Sequence, residues 1–273
     1  MIGILRNTTT IFSSIRHNRT RLEAFKAFRK FTVAIDGPAA SGKSTVASML
    51  ASRLGFMYLD SGSIYRCATL LAIQNNMKDF EEAKTVEKLV EKILGTKIDM
   101  VTEKGDGEGL RRTRVFMDGV DVSSELRGNE INKLVSLVAK FGEVRDAVFV
   151  KQRELSKGSE VGGLVMDGRD IGTRVFPDAE VKIFMEAKAT CRALRRYNEM
   201  TTKGMDVDKT TNKQITFDQI LDEIIRRDHQ DQTRKHSPLK KASDAIPIDT
   251  SDMSIQQVVT TIEQIVKSKL KSL

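Results

Sequence analysis

The chain has 273 residues, of which 40% are hydrophobic and 30% charged, with a formal net charge of +8. That length suits one core domain with insertions, and the apolar share supports a sizeable core and excludes long-range disorder. No apolar run reaches the ~18 residues of a membrane span. The charge is also uneven: residues 1–30 hold Arg6, Arg16, Arg19, Arg21, Lys26, Arg29 and Lys30 against Glu23, so the body carries only +2. A nearly balanced body is no footprint for nucleic acid.

Residues 1–30 are basic, with Thr8, Thr9, Thr10, Ser13, Ser14 and Thr20 among interspersed apolar residues. They read as a transit peptide, for the mitochondrial matrix first, with a plastid address or a cytoplasmic protein as alternatives. The apolar run Phe31–Asp36 predicts a buried parallel strand. GPAASGKS (37–44) follows, and then a helix over 43–54 that presents Val46, Met49, Leu50 and Leu54 and stops at Gly55. Strand, Gly-x-x-x-x-Gly-Lys-Ser and helix together are the context of a phosphate-binding loop. Gly37 and Gly42 let backbone N–H groups approach an anion at a helix N-terminus. Lys43 supplies a charge for the β- and γ-phosphates, and the Ser44 hydroxyl is placed for Mg²⁺.

A strand over 56–60 ends in Asp60-Ser61-Gly62-Ser63, and a long helix follows from Ile64 with Tyr65 and Arg66 in its first turn. An Arg there opposes the helix dipole; plain surface placement stays open, and a polar or anionic ligand near that turn explains the charge better. Residues 76–127 read as an insertion: a helix over 79–94, strands over 97–101, 113–117 and 120–122, and a hairpin turn at Asp118-Gly119. Helical pattern runs over 129–155, divided at Gly142, with Ser136 and Arg145 among its apolar positions. A strand over 164–167 leads into Asp167-Gly-Arg-Asp170, and another follows over 181–186. The helix over 187–202 puts Arg192, Arg195 and Arg196 on one face. A polar stretch, 203–215, precedes a helix over 216–234 with Arg227, Asp231 and Arg234 on one face. Residues 245–249 form a last strand, at an edge because of Pro247. The final helix, 254–270, opens with a Ser254/Gln257 capping box. Cys67 and Cys191 are isolated and suggest neither a disulfide framework nor a zinc site; His17, His229 and His236 lack ligand spacing.

Alternating strands and helices imply a parallel sheet covered on both faces, with ligands at the carboxyl ends of the strands. That rule gathers Gly37–Ser44, Asp60-Ser61 and Asp167–Asp170 on one edge. Phosphoryl transfer needs positive charge and positioning there. Arg66, Arg145, Arg169 and Arg227 could hold an acceptor phosphate, and Arg192, Arg195 and Arg196 with the polar 203–215 stretch suit a closing lid. Other classes fit less well. A P-loop kinase of another small acceptor is the runner-up; for a GTPase-type switch, Asn212-Lys213-Gln214-Ile215 lacks the carboxylate of a guanine-reading motif, and the switch-like Asp106–Gly109 sits in a charged loop.

IDGPAASGKST (35–45), YLDSGSIYR (58–66), MDGRDIGTRVFPDAEVKIF (166–184) and RRDHQDQTR (226–234) together resemble cytidylate kinase of the bacterial type over about residues 31–270. The resemblance implies an α/β P-loop three-layer fold: a five-stranded parallel sheet, a small α+β insertion that enlarges the monophosphate region, and a helical lid over about 187–215. It implies MgATP-dependent phosphorylation of CMP and dCMP by a kinase domain over 31–273, acting on small nucleotides as a monomer. By position, Gly37, Pro38, Ala39, Ala40, Ser41, Gly42, Lys43, Ser44 and Thr45 would bind ATP. Ser61, Tyr65, Arg66, Ser136, Arg145, Arg169, Asp170, Arg227, Asp231 and Arg234 would surround the monophosphate. Ser136, Arg145 and Asp170 would read the cytosine edge, and Lys43, Arg192, Arg195 and Arg196 would be catalytic. Many bacterial members carry Gly at the Ser44 position and retain Thr45. The 30-residue extension has no counterpart in the bacterial pattern, which points to an organellar copy.

Overall fold

The computed structural model describes residues 31–272 except 78, 105–110, 158–161, 203, 205, 206 and 208–213. The transit-peptide reading of 1–30 and the switch-like Asp106–Gly109 and Asn212-Lys213 lie outside the described residues.

Strand β1 (Phe31–Asp36) is buried along its whole length, as an unbroken apolar run in a central strand must be. Its partners form a parallel sheet with β2 (Met57–Asp60), β6 (Gly163–Gly168), β7 (Val181–Glu186) and β8 (Ile246–Asp249), in the order β2-β6-β1-β7-β8. Pro247 does fall on the edge strand, where its missing N–H costs no ladder bond. The strand order changes direction beside β1, so the crevice at its carboxyl end is the natural ligand position.

Helix α1 (Lys43–Leu54) buries Val46, Met49 and Leu50, and Gly55 ends it in the left-handed region at φ 66°. Helix α2 (Ser61–Gln74) begins earlier than its apolar pattern suggests. Asp60 caps it, accepting from the Gly62 N–H at 2.8 Å and from Ser63 Oγ at 2.7 Å. Helix α3 (Ala83–Gly95) begins later than 79, where the Asp79 side chain instead accepts from the Glu81 N–H at 3.0 Å. Such local side-chain bonds compete with helix formation.

The three-stranded antiparallel sheet comprises β3 (Ile98–Lys104), β4 (Arg111–Met117) and β5 (Val120–Asp121). Asp118 and Gly119 turn the hairpin with φ 48° and 84°, the signs a two-residue turn requires. The β3–β4 ladder continues to Lys104 and Arg111, into residues that read as loop. One core cluster joins Ala34, Leu59 and Met166 of the main sheet to Leu89 and Ile93 of α3 and Val115 and Met117 of β4. The insertion therefore shares the main core.

The 129–155 pattern is two helices, α4 (Asn129–Val138) and α5 (Gly142–Lys157). Gly142 opens α5, where a Cβ would press on the His236 ring at 3.0 Å. After β6, residues Ile171–Val175 form a π-helical turn that periodicity does not reveal. Helices α6 (Ala189–Thr202) and α7 (Phe217–Thr233) pack through a separate small core of Ala193, Ile220 and Ile224. Both α7 and α8 (Ile255–Lys271) start with full capping boxes, Thr216/Gln219 and Ser254/Gln257.

Candidate active site

The phosphate loop leaves β1 through Gly37, at φ 154°. A Cβ at that position would lie 2.3 Å from the Met185 carbonyl of β7. Backbone on both sides leaves no room to relax, so Gly37→Ala is expected to destabilise by about 3 kcal/mol or more. Calorimetry should show Tm falling by roughly 6–12 °C; an unchanged Tm would mean the loop does not need this close approach. Gly42, at φ 85°, opens α1. Lys43 folds back over the loop, where Nζ donates to Pro38 O at 2.5 Å and to Ser41 Oγ at 3.2 Å.

Beside the loop, Asp167 at the end of β6 accepts from Ser44 Oγ at 2.8 Å and from Tyr58 Oη at 2.9 Å. Burial pushes the Asp167 carboxyl up to about 7, and the charge of Asp60 adds to the rise. Burial, followed by the Arg169 charge, holds the Lys43 ammonium well below its ordinary value. The protein alone thus penalises both charges at this point. A phosphate beside Lys43 and a cation beside Asp167 would relieve each of them.

A cleft of about 1030 Å³ runs from this loop to the helices opposite. Ala40, Ser41, Gly42, Lys43, Ser44 and Thr45 line one end, whereas Gly37, Pro38 and Ala39 of the same loop are not among the lining residues. At the other end the structure gathers Ser61, Tyr65 and Arg66 from α2, Ser136 from α4 and Arg145 from α5. Arg169 and Asp170 join them from the β6 end, with Arg227, Asp231 and Arg234 from α7 and its cap. Residues scattered from Ser61 to Arg234 thus share one wall.

Arg145 and Asp170 form a buried ion pair at 2.7 Å. The Arg145 guanidinium also lies over the Tyr65 ring at 5.0 Å and donates to Ala139 O at 3.2 Å. Arg169 Nε donates to Asp231 Oδ2 at 2.7 Å, and Arg234 Nη1 donates to Asp231 Oδ1 at 3.2 Å. Arg66, which sequence alone left between surface and ligand, lines the cleft and donates to Leu126 O and Asn132 Oδ1 at 2.8 and 2.7 Å. Burial lowers the proton affinity of Arg66, Arg227 and Arg234; neighbouring arginines lower it further in each case. Arg145 Nε and Arg234 Nη2 are buried without a hydrogen-bond partner. Orphaned donors in a self-repelling cationic cluster are the chemistry of an anion site.

Arg195 and Arg196 also face the cleft. Arg195 donates to Thr250 Oγ1 at 3.2 Å and also to the Thr250 carbonyl, and Arg196 donates to Glu199 Oε2 at 3.2 Å. Arg192 shares that helical face but departs from its expected place at the reacting centre. Its side chain is only 5% exposed and does not line the cleft. It is spent on three internal acceptors, because its place in the first turn of α6 points it at the back of the phosphate loop.

Sequence reading passed over Asp36 and underused Asp167. Asp36, directly before Gly37, accepts from the Ile171 and Gly172 N–H groups at 2.8 and 2.7 Å. It thereby holds the π-turn that carries Asp170. Burial pushes its carboxyl up to about 6, against the two backbone bonds. The available signal was its position at the strand end; its partners lie 135 residues away and have no local signature.

The sequence profile of the cytidylate kinase family matches residues 33–268. The chain belongs to the cytidylate kinase family. A cytidylate kinase of Bacillus subtilis is 44% identical over 241 residues, covering 88% of this chain and 98% of that protein. One from Pediococcus pentosaceus is 45% identical over 89% of this chain and 98% of its own length. One from Fusobacterium nucleatum is 43% identical, with 85% and 95% covered. Among solved structures, a gluconokinase from Sinorhizobium meliloti overlaps 88% of this chain and 94% of its own at TM-score 0.40 and 9% identity, too distant to bear on the assignment.

These relatives correct the organellar reading. They are bacterial cytidylate kinases, and kinship with bacterial proteins gives no support to a mitochondrial or plastid address. Basic, Ser/Thr-rich composition is degenerate, and in residues 1–30 it carried more weight than it could bear.

Proposed function

We propose that this chain of the cytidylate kinase family transfers the γ-phosphoryl group of ATP directly to CMP or dCMP, giving CDP or dCDP and ADP. The observation that carries this reading is the single cleft joining the phosphate loop to the arginine cluster. Such a cleft suits two phosphate-bearing ligands meeting in line.

In this reading Gly37–Thr45 cradle the ATP phosphates, with loop N–H groups and the α1 N-terminus facing the anion. Lys43 leaves its loop acceptors to meet the transferred group. The acceptor oxygen belongs to a phosphate already ionised near neutral pH, so no general base is required. Arg66, Arg169 and Arg227 hold the acceptor phosphate, Arg227 and Asp231 lie near its sugar, and Arg234 completes the surround of the monophosphate. Ser136, Arg145 and Asp170 meet the base: a carboxylate accepts from the cytosine N4 amino group, while Arg and Ser hydroxyl donate to its acceptors. Arg195 and Arg196 add charge at the transfer point, from a lid that spans about 187–215 and excludes water on closing. The insertion over about 76–127 enlarges the monophosphate side.

The Ser44 hydroxyl and Asp167 carboxylate are hard oxygen donors of the kind Mg²⁺ takes. Among the described residues no group of three or more His, Cys, Asp or Glu could cage a metal. Mg²⁺, when bound, would be held by Ser44 and Asp167 together with nucleotide phosphate and water, and would supply positive charge against the phosphates. One chain supplies both ends of the cleft, so a monomer is sufficient. Among the described residues no helix is long and apolar enough to cross a membrane.

A coupled assay of ADP formation across CMP, dCMP, UMP, AMP and GMP tests the reading. CMP and dCMP are expected to lead by kcat/KM. Uniform inactivity would refute the acceptor class, and preference for a non-nucleotide acceptor would favour another P-loop kinase.

A further inference from the structure

Arg192 sits in the first turn of α6 and is buried. Its guanidinium has three acceptors. Nε donates to Ala187 O at 2.9 Å, in the turn before its own helix. Nη1 donates to Ala39 O at 2.9 Å, inside the phosphate loop. Nη2 donates to Asp228 Oδ2 at 2.5 Å, on α7. The three acceptors belong to three parts of the molecule. Ala39 is in the loop that faces one end of the cleft. Asp228 adjoins Arg227 and is three residues before Asp231, both of which face the other end.

We propose that Arg192 is a positioning residue that ties the phosphate loop to the acceptor-facing helix α7 and so sets the distance between the two phosphates. The inference rests on the kinase reading of the cleft. A guanidinium suits this task because its planar fork holds several acceptors in fixed directions at once. The core that α6 and α7 share is small, Ala193, Ile220 and Ile224, so the Arg192 bonds are a direct polar link from these helices to the loop. Asp228 Oδ2 takes Nη2, while Oδ1 is buried without a partner, so the carboxylate depends on Arg192 for its neutralisation. Lysine would carry the charge to Asp228 but could not span Ala39 and Ala187 together.

Misplacing reacting groups by about an ångström can cost ~100-fold in rate without loss of binding. Arg192→Lys and Asp228→Asn are therefore expected to lower kcat roughly 30–100-fold while the KM values for ATP and CMP each stay within about threefold. Asp228→Asn retains an oxygen acceptor for Nη2 and leaves no unpaired buried carboxylate, so it stays informative if Arg192→Lys does not fold. The double variant should be no slower than the worse single one, as for two residues in one linkage. Hydrogen exchange in the nucleotide-free protein should quicken in segments 37–46 and 217–233 together. Loss confined to KM for one nucleotide, additive losses in the double variant, or unchanged exchange in both segments would overturn the inference. Quickened exchange in both segments with wild-type protein inactive on CMP would instead sink the kinase reading and leave the tie standing.

Discussion

Lys43→Met is expected to lower kcat by at least ~10³-fold, about 4 kcal/mol of transition-state stabilisation, and to leave the folded protein as stable as before. The two halves of this result have separate causes. In phosphoryl transfer the protein does little covalent work, so removing a charge aimed at the migrating group removes a main source of catalysis. In the protein without nucleotide, the Lys43 ammonium is buried and its charged form is disfavoured by that burial and by Arg169. Methionine has a similar length and no charge to desolvate. The carbonyl it abandons keeps a donor, since Ser41 Oγ still lies 3.1 Å from Pro38 O. Steady-state turnover with calorimetry on the same sample checks both. Turnover within tenfold of the parent would remove Lys43 from the reacting centre; a Tm drop accompanying lost turnover would make the loss one of folding.

Asp170→Ala carries the second large effect, of a different kind. Its partner Arg145 is as deeply buried as Asp170 itself, at 2% and 5% side-chain exposure. Removing one member of such a pair strands a buried charge, at a cost of roughly 3–5 kcal/mol. For a domain of this size that is a Tm fall of roughly 6–20 °C. Asp170→Asn separates folding from recognition. The amide oxygen still accepts from Arg145, while the carboxylate that would take the cytosine amino group is gone. Its kcat/KM for CMP is expected to fall roughly 10²–10³-fold, with KM for ATP within about threefold. Equal changes in both Michaelis constants would count against a role at the base and would place Asp170 among purely structural residues.

Much of this arrangement was legible in the chain. The phosphate loop is a contiguous pattern between a strand and a helix, so its geometry follows from local chemistry: Gly37 and Gly42 adopt the positive φ values the pattern requires. The five strands of the parallel sheet and the hairpin at Asp118-Gly119 were readable because hydrophobic period and turn residues are local signals. The family resemblance named the acceptor residues, and they do line one cleft. The N-terminal segment shows the opposite case. There composition stood alone, without a fold to constrain it, and bacterial relatives overturn the organellar address.

What the sequence by itself determined is the donor loop, the sheet and the identity of the charged residues available to the cleft. Which of those charges face the cleft was decided by tertiary structure. Arg192, Arg195 and Arg196 share a helical face, yet Arg192 is buried against Ala39 and Asp228 while its neighbours reach the cleft. Helical periodicity gives a direction relative to the axis, and the packing of α6 on α7 and the loop decides what stands in that direction. Asp36 and Asp167 follow the same rule. Each ends a strand, and only the parallel alignment of β1, β2 and β6 brings Ile171, Gly172, Ser44 and Tyr58 to their carboxylates. Contacts more than a hundred residues apart leave no local trace, because the free energy that forms them comes from the whole core.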